Sequence, residues 1–412
     1  MTAAGRCQPQ LVIVADDLTG ALDSACFFAK SGLLTTLPLA GLDPGPCDVL
    51  TVTTESRDLP AADAAARVRE TVRELAAAST PRWWYKKVDS ALRGHPGEEL
   101  AALLACLPPG PALVTPALPQ EGRRVRDGLL YVHGEALADT ALGKGRASSS
   151  IGDLFAAPGL PPAERLPLDA VRGAAEDLQA AMAAERRQVL LADAETNDDL
   201  RRLAGAYVSA GCRVACGSAG LARQLAPLLA MQPHQLPPPE ARRRGRPVLV
   251  VAGSQHAATA RQLERAERDV RLAIVRPEAL GDEADERAID RTAMEVRRLL
   301  QSGRHVALTT AGMPESPAGG RAVAATLAAI VAREGVREAA DAMTLTGGDV
   351  AAAVCLALRF DRIHLRGEVM PLIPWGIAAG RGIATLPIAT KAGSFGPDDT
   401  LTRCVRFLSA MR

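Results

Sequence analysis

Short apolar, β-branched runs recur along the chain, and most lead into a stretch with apolar positions at i, i+3 and i+4. The runs predict strands at 11–15, 49–53, 84–88, 112–114, 188–192 and 213–216, then at 248–252, 271–275, 305–309, 343–346 and 363–366. Between them, "AADAAARVRETVRELAAA" (61–78) and "ATARQLERAERD" (258–269) carry the helical period. Strands alternating with amphipathic helices predict an α/β protein whose mainly parallel sheets are flanked by helices. The rhythm breaks at "MQPHQLPPPEARRRGRP" (231–247), where prolines and a basic cluster can continue neither a helix nor a central strand. This stretch predicts a solvated tether, and with it two domains: 1–235, a linker at 236–246, and 247–412.

Composition narrows the function classes. The chain has 412 residues, a formal net charge of +1 and 3% aromatic residues. With neither a basic field nor stacking surfaces, nucleic acid is not an expected partner. The N-terminus lacks the apolar core of an export signal and no run is long enough to span a membrane, so the expectation is a cytoplasmic protein without a membrane partner. The cysteines are dispersed. Only Cys212 and Cys216 lie close, and "CRVAC" has no second pair to complete a zinc site.

Chemistry concentrates at two kinds of strand end. In "LVIVADDLTGALDSA" an apolar strand stops on two adjacent carboxylates, Asp16 and Asp17, with no cation beside them in sequence. They are either polar punctuation that starts a helix or acceptors for a ligand brought to that edge. In "RWWYKKVDSALRGHPGEEL" a strand runs into a dense polar turn, where Lys87 and Asp89 share a face and Arg93 follows. Lysine and arginine can bind a carboxylate, and the acids can accept a hydroxyl's hydrogen bond or its proton. The plain alternative is a buried Lys87–Asp89 ion pair with Arg93 in solvent.

The second half repeats another design, a strand followed by a glycine turn and a helix. Gly253-Ser254 precedes one helix, Gly347-Gly348-Asp349 precedes another, and Gly393 and Gly396 follow the strand-like "IATLPIA". Such turns let backbone amides approach a phosphate at the carboxyl edge of an open sheet. No G-x-x-x-x-G-K-[ST] occurs, and no G-x-G-x-x-G, which disfavours a P-loop enzyme and a dinucleotide oxidoreductase.

Taken in order, "ADDLTGALDSA" (15–25), "KKVDSALRGHPGEE" (86–99), "TPALPQEGRRVRDGLLYVHG" (115–134), "GSAGLA" (217–222), "VAGSQH" (251–256), "LTGGDVA" (345–351) and "TKAGSFG" (390–396) resemble the four-carbon acid sugar kinases, which phosphorylate threonate, erythronate or 3-oxo-tetronate with ATP. The ordered set covers nearly the whole chain. The resemblance implies an N-terminal acid-sugar domain, a C-terminal ATP domain and a catalytic cleft between them. It implies ATP contacts at Ser254, Gly347, Gly348, Asp349, Val350 and Gly393. Acid-sugar contacts are implied at Asp16, Asp17, Lys87, Asp89 and Arg93, with Arg123 a further candidate. The reaction expected is in-line attack of the C4 hydroxyl on Mg²⁺-ATP, with Asp17 or Asp89 as the catalytic acid–base group and Asp349 as the carboxylate for Mg²⁺. Homo-oligomers are common in the family.

Four departures bear on the substrate: Ala91 stands where the family has threonine, Val350 where it has threonine, the "GSQH" turn differs after Ser254 from the more common small residues, and segment 135–150 differs from its usual acidic, aromatic version. Two other classes are weighed against the kinase. An aspartyl-phosphate phosphatase of the haloacid dehalogenase type needs acids two residues apart, but the position two after Asp17 is Thr19. A non-catalytic sugar-acid sensor is separated from an enzyme by tetronate-dependent ATP consumption. His133, His256, His305 and Ser218 are read as structural, Ser218 as a helix cap.

Overall fold

A computed structural model describes residues 8–41, 45–183, 188–229, 231, 247–314, 319–393 and 395–411. The expected linker at 236–246 lies outside them. The chain divides into two compact units, 1–35 with 42–234, and 36–41 with 235–412.

The strands are β1 (Leu11–Ala15), β2 (Thr35–Pro38), β3 (Val49–Thr53), β4 (Trp83–Lys87), β5 (Ala112–Thr115), β6 (Arg123–Arg126), β7 (Leu129–Val132), β8 (Glu135–Ala136), β9 (Ala163–Leu166), β10 (Val189–Ala192) and β11 (Val214–Gly217). They continue as β12 (Val248–Ala252), β13 (Ala273–Val275), β14 (Val306–Thr309), β15 (Ala342–Thr346), β16 (Arg362–Met370), β17 (Ile373–Gly380) and β18 (Ile383–Lys391).

In the first unit a parallel sheet runs β3-β1-β4-β11-β5-β10-β9. β1, an interior strand of this sheet, is buried throughout, as an unalternating apolar run in a parallel sheet requires. The helix Leu18–Lys30 follows at once, and the predicted helix at 61–78 forms as Ala61–Ala78. Trp83 and Trp84 are both buried on β4. The segment 123–136 forms a small antiparallel sheet, β6-β7-β8, which sequence periodicity missed because its strands are short.

The second unit has a parallel sheet β13-β14-β12-β15-β18. It departs from the expected alternation at its C-terminal end, where β16, β17 and β18 form an antiparallel meander. The connection between β17 and β18 is too short for a helical crossover, and Gly382 turns it at a positive φ. Residues Thr36–Gly41 also belong to this unit, where Leu39 N donates to Asp361 O at 2.7 Å. Its core gathers Val248 and Val250 of β12, Leu263 and Ala266 of helix Ala257–Val270, and Leu401, Val405 and Leu408 of helix Thr400–Ser409. Among the described residues no helix is long and apolar enough to cross a membrane.

Beneath the polar end of the first sheet lies a fully buried ion pair. Lys86 Nζ sits 2.6 Å from Glu99 Oε2, and Ser56 Oγ donates to Glu99 Oε1 at 2.5 Å. Burial opposes the Lys86 charge most strongly, but the Glu99 charge and hydrogen bond together with the Asp16 charge hold the ammonium above the usual lysine range. Glu99→Ala should therefore lower stability by about 3–5 kcal/mol, read by urea denaturation, because it strands a buried charge. The double variant Lys86→Met, Glu99→Leu should recover most of that loss.

Candidate active site

The two carboxylates that end β1 do have a cation, but it comes from the neighbouring strand. β3 pairs with β1 in parallel, with Ala15 opposite Thr53, and the pairing continues past the strand ends. Thr54 N donates to Ala15 O at 2.9 Å and Ser56 N to Asp16 O at 3.0 Å, with Glu55 between them at φ 45°. This path delivers Arg57 to the carboxyl edge. Its guanidinium forks onto both acids: Nε and Nη2 reach Asp16 at 2.8 and 2.9 Å, and Nη1 and Nη2 reach Asp17 at 2.7 and 2.6 Å. One guanidinium thus gathers both acids.

Asp17 is also the N-cap of helix Leu18–Lys30, with Oδ1 accepting from Gly20 N at 2.9 Å. A Cβ at Gly20 would lie 2.5 Å from Asp17 Oδ1 and 2.6 Å from Lys87 Nζ. Glycine is thus needed for Lys87 to reach the helix start. The two acids titrate differently. Burial opposes the charge of Asp16, but the Arg57 charge and hydrogen bonds prevail and hold its carboxyl below the usual range. At Asp17 burial, joined by repulsion from Asp16, outweighs Arg57 and raises the carboxyl.

Lys87 and Asp89 do not form the alternative ion pair. Asp89 is taken by Arg93, whose Nη2 and Nε lie 2.8 and 3.1 Å from its oxygens, and Asp89 Oδ2 also accepts from Ala91 N at 3.0 Å. Burial is the largest influence on Asp89, but the hydrogen bonds and charges around it win and hold it well below the carboxylate range. Lys87 is 5% exposed and has no ion pair among the described residues. Arg123 opens β6, with Nη1 donating to Glu121 O and Nε buried without a partner. The structure therefore brings Asp16, Asp17, Lys87, Asp89, Arg93 and Arg123 into one neighbourhood. It adds Arg57, a cation that a search at the ends of neighbouring strands, rather than along β1 itself, would have found.

In the second unit the three glycine turns converge at the carboxyl ends of the adjacent strands β12, β15 and β18. A Cβ at Gly393 would run into Ser254 Oγ, and one at Gly253 would lie 2.7 Å from Val350 Cγ2. Gly347, at φ 100°, is the N-cap of helix Gly348–Ala357. The first intrahelical bond comes from Ala351 N to Gly347 O, so the amides of Gly348, Asp349 and Val350 are free of the helix ladder. Val350 itself is buried, its side chain turned against Gly253, so its amide is what it can offer a ligand. Asp349 is exposed at this helix start.

The turn after β18 is held from within. Lys391 Nζ donates to Ala392 O at 2.8 Å, Gly393 O at 3.0 Å and Phe395 O at 3.2 Å. Gln262 Nε2 reaches Phe395 O, Gly396 O and Pro397 O at 2.9–3.1 Å, and Thr259 Oγ1 donates to Gly393 O at 2.9 Å. Planar peptides with their carbonyls drawn inward turn the Gly393 and Gly396 amides outward. The structural readings of the remaining residues also fit the geometry: Ser218 and His256 are N-caps, and His305 Nδ1 accepts from Val248 N.

Two family models match the chain, one described as a sugar-binding N-terminal domain over residues 11–225, the other as a nucleotide-binding C-terminal domain over residues 249–401. The side-chain-lined acid site falls in the first and the amide-lined turns in the second, which makes this an α/β protein of paired sugar-binding and nucleotide-binding domains. A Bordetella bronchiseptica protein named D-threonate kinase is 36% identical over 98% of both chains. A Heliobacterium modesticaldum D-erythronate kinase is 30% identical over 97% of both, and a Methylobacterium radiotolerans 3-oxo-tetronate kinase 31% identical over 96% of this chain and 98% of that one. The chain belongs to the four-carbon acid sugar kinase family. The fold is also that of a solved Salmonella typhimurium LT2 protein described as a putative tRNA synthase, with a TM-score of 0.79 at 21% identity over 96% of this chain and 99% of that one.

Burial brings the Lys391 amine down to about 8. Folding thus favours its neutral form, and stability linked to this group rises as pH climbs from about 8 toward the ordinary lysine value. A lysine side-chain NMR titration should show a midpoint near pH 8 that is absent in Lys391→Met; a midpoint above 10 would show that the three carbonyl contacts offset the burial.

Proposed function

We propose that the protein is an ATP-dependent kinase that phosphorylates the C4 hydroxyl of a four-carbon sugar acid such as threonate, erythronate or 3-oxo-tetronate. The observation that carries the reading is the pair Asp16–Asp17 clamped on Arg57 beside an unpaired, buried Lys87 in the sugar-binding domain. That arrangement suits a ligand with hydroxyls at one end and a carboxylate at the other. Lys87 and Arg93 bind the carboxylate, with Arg123 beside them, and the acids receive the hydroxyls.

Neighbouring carboxylates whose environments push their pKa values apart mark an acid–base assignment. The raised carboxyl of Asp17 makes it the base, while Asp16 stays ionised and fixes Arg57. Asp89 is a weaker candidate, because Arg93 holds it as a settled anion. In the step, the C4 oxygen attacks the γ-phosphorus, the bond to the ADP oxygen breaks, and the hydroxyl proton passes to Asp17. The outward amides of the turns at Ser254, Gly347–Val350 and Gly393 bind the phosphates of ATP.

The donor set fits Mg²⁺. No cluster of three metal-ligating side chains occurs among the described residues, and Asp349 stands exposed at the helix start. One carboxylate joined by phosphate oxygens is a usual protein contribution to nucleotide-bound Mg²⁺, and bound there the ion would neutralise phosphate charge.

A screen of ATP consumption against D- and L-threonate, both erythronates and the 3-oxo acids tests the reading, and no turnover with any of them would overturn it. Asp17→Asn should lower kcat by about 10²–10⁴-fold with the KM for ATP nearly unchanged. Arg93→Ala should instead raise the KM for the sugar acid about tenfold or more, because it removes a charge-assisted contact.

A further inference from the structure

Glu99 is a buried carboxylate that the phosphoryl transfer does not use, and its two oxygens serve two different strands. It projects from the helix Pro96–Leu104. Oε1 accepts from Ser56 Oγ at 2.5 Å, on the extension of β3, and Oε2 lies 2.6 Å from Lys86 Nζ on β4. β3 and β4 are the two neighbours of β1, the strand that ends on Asp16 and Asp17. One side chain thus ties together both flanks of the acid-bearing strand.

Each arm leads to a site group. Ser56 N donates to Asp16 O at 3.0 Å, and the next residue, Arg57, carries the guanidinium that forks onto both acids. On the other flank Lys86 Nζ donates to Lys87 O at 3.0 Å, at the root of the turn that holds Asp89. The extension of β3 needs such a hold. Glu55 takes φ 45°, a left-handed conformation that a non-glycine residue keeps where its surroundings impose it. Thr54 is fixed on one side of it, with N and Oγ1 both donating to Ala15 O, and Ser56 is fixed on the other. The start of the Glu99 helix is seated against the same loop and the body of the domain. His95 Nε2 donates to Leu59 O at 2.8 Å, and a Cβ at Gly97 would lie 2.5 Å from Phe155 O.

Stability alone does not call for ions here. Apolar residues of similar volume in place of a buried ion pair are often neutral or stabilising. Directional, charge-assisted bonds of 2.5–2.6 Å instead fix distances that apolar packing leaves softer.

We propose that Glu99 is a positioning residue for the acid site, a bracket that sets the Arg57 flank of β1 against the Lys87 flank so that the sugar acid meets both cations and Asp17 in one reactive geometry. The proposal rests on the kinase reading. A displacement of about 1 Å imposed from outside the reacting groups costs on the order of 10²-fold in rate, which is the scale at stake.

Two variants test it. Ser56→Ala cuts the arm toward Arg57 and leaves the Lys86–Glu99 pair in place. Lys86→Met with Glu99→Leu removes both arms without stranding a charge. The kcat/KM for the sugar acid should fall about tenfold in the first and about 10²-fold in the second, with the KM for ATP within about twofold of wild type. Arginine-selective nitrogen-15 NMR of the protein without ligands reads the positioning directly. The Arg57 Nε–H, assigned by its absence in Arg57→Lys, should exchange with solvent at least about tenfold faster in both variants than in the wild type. Urea denaturation reports stability separately, and should the double variant not fold, Ser56→Ala decides alone. Wild-type kcat/KM or an unchanged Arg57 exchange rate in Ser56→Ala would overturn the proposal, as would a double variant that regains activity along with stability. A Ser56→Ala chain that does not fold would overturn it too, by making the link one of stability. The NMR needs neither ATP nor sugar acid, so it still decides the bracket if the turnover screen refutes the kinase reading.

Discussion

The acid site depends on one guanidinium held between two carboxylates. Adjacent acids at a buried strand end repel each other by about 4 kcal/mol at 4 Å and an effective dielectric of 20, and burial adds to the cost. Arg57 offsets both with four charge-assisted bonds to the four oxygens. Helix Leu18–Lys30 can start where it does because Asp17, so held, also caps it. Gly20 must be small for the same reason, since Asp17 and Lys87 occupy the space a side chain would need. Gly94 extends the arrangement to the next turn, where a Cβ would lie 3.3 Å from Arg57 O. Strand end, helix start and polar turn are thereby fixed against one cation.

That arrangement is asymmetric. Asp16 is the more buried acid and receives Arg57 Nε together with Nη2, and Asp17 bears the repulsion. A pair treated alike would share a proton between them. Because this pair is not, one member remains a fixed anion while the other holds a proton more readily.

Much of this was legible in the sequence, and the gaps have physical causes. β1, β3 and β12 read at their observed bounds because fully buried parallel strands are uninterrupted apolar runs. The β6-β7-β8 sheet was invisible because "RRVR" and "LLYV" are too short for a period to register. At the antiparallel end of the second unit β16 and β18 were partly legible, at 363–366 and in "IATLPIA", whereas β17 was missed because "IPWGIAAG" carries glycine and proline within it. Arg57 was missed for another reason: nothing in "TTESRD" looks chemical until parallel pairing sets it beside Asp16. Residues that act across a sheet edge lie far apart in sequence, whereas Asp16 and Asp17 announce themselves by adjacency.

The glycine turns were the most legible part of the second unit because backbone, not side chain, does the work there. Their supports, Lys391, Gln262 and Thr259, could not be read off, since each acts on carbonyls brought near by folding. This contrast explains where the chain can vary. Val350 replaces a hydroxyl-bearing residue, yet its side chain packs against Gly253 and its amide stays free of the helix ladder, so the turn keeps its donors. Ala91 lies instead in a turn lined by side chains, its amide on Asp89, where a substitution changes hydrogen-bonding capacity directly. A family whose members carry the names of three different tetronates is what such a division permits: an amide-lined turn indifferent to side-chain identity, and an acid site that alters with every one.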